Sequence, residues 1–238
     1  MIRLAWLLAL AIVALFATGS QLDRASRRQP AVAMLVPPPF RSFAQERLAV
    51  ATVRSDLPDT ALQTARTLVR RRPIPSENLS LLAIAAERNG EREKSSLLIQ
   101  YAARRGWRDS IAQQAMFHIA LEAGDPAEAA RRLAALWAVR EDQVPLGDLT
   151  SRLLSTEQGR AAMAKTLQTS GRWERAFLSS ATNNPSHELA LTIAEAARGG
   201  ARLDCESLDR LSRFYRMRKA ETDAQIVDQA VPSCIKER

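Results

Sequence analysis

At 238 residues with a formal net charge of +8, the chain has room for a sizeable core and one or two domains. Aromatic residues are only 5% of it, Gly (9) and Pro (11) are sparse, and Ala, Leu, Arg and Glu abound, so an all-α fold is predicted and strand-built classes are excluded. The two cysteines, Cys205 and Cys234, form no CxxC, and no Walker A, GxSxG or HExxH pattern is present, so no metal, cofactor or small-molecule substrate is expected.

The first predicted element is apolar. Arg3 supplies a positive start, and Leu4 to Ala17 is unbroken apolar sequence. Those fourteen residues would span about 21 Å as helix, short of the roughly 30 Å hydrocarbon core. Residues 1–20 are therefore read as a signal peptide or membrane anchor. The length suits a secretory segment, and Ala17-Thr18-Gly19 gives a small-x-small cleavage site. Bilayer thinning or snorkelling of Arg3 would instead let the helix stay as an anchor. Its apolar residues run all the way round, which argues against a buried core helix. No cysteine comes after it that could form a lipobox, which excludes a lipoprotein. Arg24, Arg27 and Arg28 outnumber Arg3, and that count favours a cytoplasmic C-terminal side. Signal-like segments with short starts usually export the chain behind them. The expected location is the inner membrane, with a single N-terminal span and a periplasmic folded part. Release into the periplasm after cleavage is the alternative.

Residues 21–41 hold Pro30 and Pro37-Pro38-Pro39 and predict a stiff, extended spacer without helix. From 42 to 143 the chain repeats. Ser42, Ser76 and Ser110 recur at 34-residue steps, each opening an apolar-periodic run. Ser42 with Gln45 and Ser110 with Gln113 read as capping boxes. The predicted helices are 43–54 and 59–71, then a pair turning at Asn89-Gly90 and ending near Arg105, then a pair turning at Gly124 with its second helix at 127–139. The first two units share Leu48/Leu82, Ala49/Ala83, Ala51/Ala85, Arg54/Arg88, Arg70/Arg104 and Arg71/Arg105.

Pro145 and Gly147 break the register. Beyond them Ser155 with Gln158 reads as another capping box opening a helix to about Leu167. Further helices are predicted at 174–180, 187–198, 206–216 and 221–231. Residues 144–238 are thus read as degenerate helical pairs. Cys205 and Cys234 flank the last hairpin, whose antiparallel helices would set them side by side. A disulfide is expected in an oxidising compartment, and two unrelated thiols in the cytoplasm.

The 34-residue helix pair resembles the tetratricopeptide repeat family. Small residues fall where that family packs its helices closely: Ala49, Ala61, Ala83, Ser95, Ala102 and Ala129, with Ala224 in the last hairpin. Phe117 and Leu136 depart from the pattern. The resemblance implies antiparallel helix hairpins stacked as a short solenoid, preceded by the apolar helix. It also implies a concave groove lined by Glu46, Arg54, Ser80, Glu87, Arg88, Gln114, His118 and Glu122, suited to an extended protein partner. The order of apolar segment, proline spacer and repeats resembles accessory proteins of bacterial envelope or exopolysaccharide assembly.

The arginine excess is compatible with anionic lipid, nucleic acid or an acidic partner, and is also common in arginine-rich proteomes. No aromatic strand platform is visible for single-stranded nucleic acid, so none is expected. Arg70-Arg71-Arg72, Arg104-Arg105 and Arg131-Arg132 read either as helix C-terminal charges or as a basic strip. The histidines, His118 and His187, are distant in sequence and supply no base–nucleophile pair. The expected function is a non-catalytic interaction scaffold, with no catalytic residues. An enzyme on a helical scaffold acting on envelope polysaccharide is the alternative, and its mark would be a buried, paired Glu in a pocket.

Overall fold

The structure is a computed structural model and describes residues 2–55, 57–169, 171–181 and 185–230. Among these residues it is all-helical, with thirteen α-helices and no strand. The chain divides into two compact units, Met1–Gly106 and Trp107–Arg238.

The first unit begins with α1, Ile2–Ala25. At 24 residues it is about 36 Å long, because helix continues past the apolar run through Thr18 to Ala25, and by length and composition it is long and apolar enough for a membrane span or a signal sequence. Its apolar side chains from Ile2 to Phe16 are exposed, while Gly19 and Asp23 are buried. The segment after it is not an extended spacer. Pro30–Met34 and Pro38–Phe40 are 3-10 turns, each opened by a proline at a position where its missing N–H costs nothing. They fold back, so that Ala33, Val36 and Ala44 form a small core with Leu22, Phe40 and Leu48 packed against it. Phe40 lies edge-on to Phe16 with centroids 5.3 Å apart. It also covers Gly19, where an added Cβ would come within 2.6 Å of the ring.

Two hairpins come next: α2 (Phe43–Val53) with α3 (Pro58–Arg71), and α4 (Ser76–Arg88) with α5 (Arg92–Arg105). Each helix packs on the next, and α2 packs also on α4, the neighbour pattern of stacked hairpins. The close approach rests on Ala49, Ala61, Ala83 and Ala102, all buried. Gly90 takes the left-handed φ of +82° that the turn between α4 and α5 demands.

The capping box at Ser42 does not form. Ser42 has helical dihedrals and makes no side-chain cap bond. Its place is taken by Asp23, nineteen residues upstream in α1. The Asp23 carboxylate accepts from the backbone N–H groups of Ser42 (2.9 Å), Phe43 (3.2 Å) and Ala44 (2.9 Å). Gln45 turns away and donates to the Thr64 carbonyl. An ionised carboxylate facing three orphan donors at the positive end of a helix is a stronger cap than a serine hydroxyl.

The second unit contains α6 (Ser110–Glu122), α7 (Pro126–Val139), α8 (Leu146–Leu154), α9 (Glu157–Gln168), α10 (Arg172–Ala181), α11 (His187–Arg198), α12 (Cys205–Met217) and α13 (Glu221–Ala230). The third sequence repeat thus belongs with the C-terminal helices. Phe117 and Leu136, the two departures from the small-residue pattern, are fully buried in the same core as Leu153, Met163, Phe177, Ile193 and Tyr215. Large side chains there give α6 and α7 a shared core to fill. Beyond α7, α8 packs on α9 and α12 on α13 as consecutive helices, and longer-range contacts join them: α9 packs on α7 and α11, α11 on α13, and α10 on α7 and α12. The caps at Ser110 and Ser155 each shift by one residue, to Asp109, which accepts from Ala112 N–H, and Thr156, which accepts from Gly159 N–H. The helix α8 was hidden in the sequence by Pro145 and Gly147 at its start.

Asp23→Ala should lower unfolding stability by about 1–3 kcal/mol, the cost of a lost cap that leaves donors unpaired. Ser42→Ala should stay within about 0.5 kcal/mol, because its hydroxyl caps nothing. Denaturant melts of both variants check the contrast; equal losses would contradict the assignment.

Candidate functional site

The residues expected to line a groove divide between the units. In the first, Glu46 pairs with Arg72 at the end of α3 and is half-buried. Ser80 is completely buried and so is a packing residue of α4 rather than a groove contact. Arg54 and Glu87 are exposed, and Glu87 lies 3.6 Å from Arg92. Arg88 donates to the Val53 carbonyl, so it closes the exposed end of α2 onto α4. In the second unit Gln114 and His118 are half-buried on α6, and Glu122 is exposed.

Arg152 of α8 donates to His118 Nδ1 at 3.0 Å, which fixes that nitrogen as an acceptor. Burial and the Arg152 charge hold the imidazole pKa below its ordinary value, against the opposing pull of Glu122. His118 is therefore neutral near pH 7 and acts as an acceptor on the surface of α6.

The arginine clusters are tied into the fold. Arg71 donates to the carbonyls of Pro38 and Arg41, both at 2.7 Å, and Arg105 donates to that of Pro73. Arg131 and Arg132 both pair with Glu128. Arg71 and Arg105 thus bind neighbouring segments together, Arg132 reaches α6 by donating to the Gln113 side-chain oxygen at 2.9 Å, and Arg131 pairs within α7.

The buried, paired glutamate that an enzyme would need does occur. Glu174 of α10 is 7% exposed and lines a cavity of about 570 Å³ with Gly171, Arg175, Arg202, Leu203 and Asp204. Burial raises its carboxyl pKa above the ordinary range, and the Asp204 charge adds to the rise against the backbone N–H it accepts from Asp204. Asp204 moves the other way, held low chiefly by the Ser207 hydroxyl. Two carboxylates with opposed environments are the pattern of an acid beside an ionised partner. Asp204, however, is already used: it accepts from Ser207 N–H at 2.9 Å and Ser207 Oγ at 2.6 Å as the cap of α12. Nothing in the local sequence marked Glu174, since Arg202, Leu203 and Asp204, which line the cavity with it, lie about thirty residues on.

Among the described residues no group of His, Cys, Asp and Glu is arranged to hold a metal. Cys205 is disulfide-bonded. Cys234, its expected partner, lies outside the described residues. Searches of protein-family models, curated proteins and solved structures find no match to the chain.

The raised pKa of Glu174 has a definite sign. Its fold favours the protonated form, so its contribution to stability is complete below the unfolded carboxyl pKa and is lost as pH rises through the folded one. Glu174→Gln should therefore raise the melting temperature more at pH 8 than at pH 4. A difference independent of pH would contradict the burial assigned to this carboxyl.

Proposed function

We propose that the chain is a membrane-tethered interaction scaffold, retained by α1 in the inner membrane with its helical units in the periplasm, in the manner of a tetratricopeptide-like envelope-assembly protein. The observation that carries the reading is the division of labour within α1. Its apolar surface is bare from Ile2 to Phe16, while its last two turns pack into the first hairpin through Gly19, Leu22 and Asp23. Bare apolar surface of that length calls for lipid or a partner. Retention is supported by the same packing, because Ala17-Thr18-Gly19 lies within continuous helix and cleavage there would strip Phe16 from Phe40. The disulfide at Cys205 supports an oxidising compartment.

For a binding role, the stacked hairpins of the first unit offer an exposed charged edge at Arg54 and Glu87. A polysaccharide-acting enzyme is the second reading, favoured by Glu174 in its cavity. The commitment of Asp204 to a cap, and the lack of an aromatic residue in that cavity's lining among the described residues, weigh against it.

Three measurements test the proposal. The intact mass of membrane-extracted protein is expected to include residues 1–20; a mature N-terminus after Gly19 would overturn retention. A reporter active only in the periplasm, fused after Arg238, is expected to be active. Partners recovered from solubilised membranes by wild type are expected to be lost in Arg54→Glu/Glu87→Lys; recovery of the same partners would reject the edge as the binding surface.

A further inference from the structure

A second pocket lies where α1 ends. It encloses about 450 Å³, and its lining includes Arg27, Phe43, Glu46, Arg47, Arg72 and Glu77. Arg27 is two residues beyond the end of α1. The Phe43 ring carries two guanidinium groups, those of Arg27 at 4.4 Å and Arg72 at 4.6 Å from its centroid. Stacking of this kind orients a guanidinium and leaves its charge and its N–H donors available. Arg47 donates to the Arg27 carbonyl at 2.7 Å, which brings a third guanidinium to the same place. Asn78 fixes the end of α3 by donating to the Arg72 carbonyl at 2.7 Å.

The charges at this pocket do not cancel. Arg72 pairs with Glu46, and Glu77 contributes a second carboxylate against three arginines. Arg27 has no carboxylate partner among the described residues. The lining therefore keeps one net positive charge, the complement of a phosphodiester monoanion. Planar forks held in place suit phosphate oxygens, and carboxylates beside them suit hydroxyl donors. Position then selects the source. The pocket lies beyond the C-terminal end of α1, whose apolar surface is bare from Ile2 to Phe16, and Met34 and Leu35 in the segment that follows are 75% and 71% exposed.

We infer that this pocket binds the phosphodiester of an anionic, hydroxyl-bearing phospholipid headgroup in the leaflet where α1 ends. The inference rests on the retention of α1 proposed above. A bound headgroup would fix the depth of the first hairpin at the membrane surface, and Arg27 and Arg47 would hold the phosphate while Glu77 accepts from the headgroup hydroxyls.

The test is native mass spectrometry of the full chain in detergent, titrated with phosphatidylglycerol or phosphatidylcholine. The protein's intact mass is first checked for residues 1–20, so that loss of the anchor is read separately from loss of lipid binding. Wild type is expected to bind one phosphatidylglycerol at least tenfold more tightly than phosphatidylcholine. Arg27→Gln/Arg47→Gln should lose at least tenfold in that affinity, while Arg92→Gln, at an exposed position on α5, should not change it. Arg27→Lys, which keeps charge but loses the stacked fork, is expected to lose several-fold and carries the test if the double variant misfolds. Equal binding of both lipids, or undiminished binding by the arginine variants, would overturn the inference. So would competition by water-soluble glycerophosphoglycerol at the same concentration as the lipid, which would make the ligand a soluble phosphodiester.

Discussion

Three hydrogen bonds from Ser42, Phe43 and Ala44 to one buried carboxylate tie the apolar helix to the rest of the first unit. Asp23 belongs to α1 and caps α2, so the first hairpin cannot reorient without exposing three backbone donors or stranding a buried charge. The surrounding contacts serve the same end. Ser26 donates to the Asp23 carbonyl at 2.6 Å, Phe40 covers Gly19, and Val36 and Ala44 close the small core between them. The proline segment that would act as a spacer becomes the filling of this joint.

The joint decides what the charged residues around it do. Arg41, Arg71 and Arg105 donate to backbone carbonyls of neighbouring segments, a use of guanidinium that satisfies orphan acceptors where prolines interrupt regular structure. Arg27 and Arg72 are instead stacked on Phe43, the first residue of the capped helix. The cap and the arginine pocket therefore share an element, and the position of one fixes the other. In the second unit the equivalent organiser is apolar: α7 meets α6, α8, α9 and α10 through Leu133, Leu136 and Trp137.

Local signals in the sequence were enough to place most helices. The turn glycines and the 34-residue step located α2 to α7 within a residue or so, and the helix predicted at 187–198 is α11, His187–Arg198. The features that local signals missed came from distant partners. Ser42 and Gln45 carry the spacing of a capping box, but Asp23 outcompetes the hydroxyl from nineteen residues away. Ser80 holds a groove position by repeat count and is buried by its neighbours. Glu174 gave no local sign, because Arg202, Leu203 and Asp204, which line its cavity, are distant in sequence. Phe117 and Leu136 were visible as exceptions, and their meaning, a core shared with the C-terminal helices, needed the tertiary packing.

The Asp23 hydrogen bonds and the small core beside them make α1 and the first hairpin one rigid piece. Spin labels at Gln21 and Gln63, exposed positions on α1 and α3, report it directly when their separation is measured by pulsed electron resonance in lipid nanodiscs. Wild type is expected to give one narrow distance distribution that broadens in Asp23→Ala. A broad wild-type distribution, unchanged by that substitution, would mean that residues 21–41 are a loose tether, and would contradict the rigid joint.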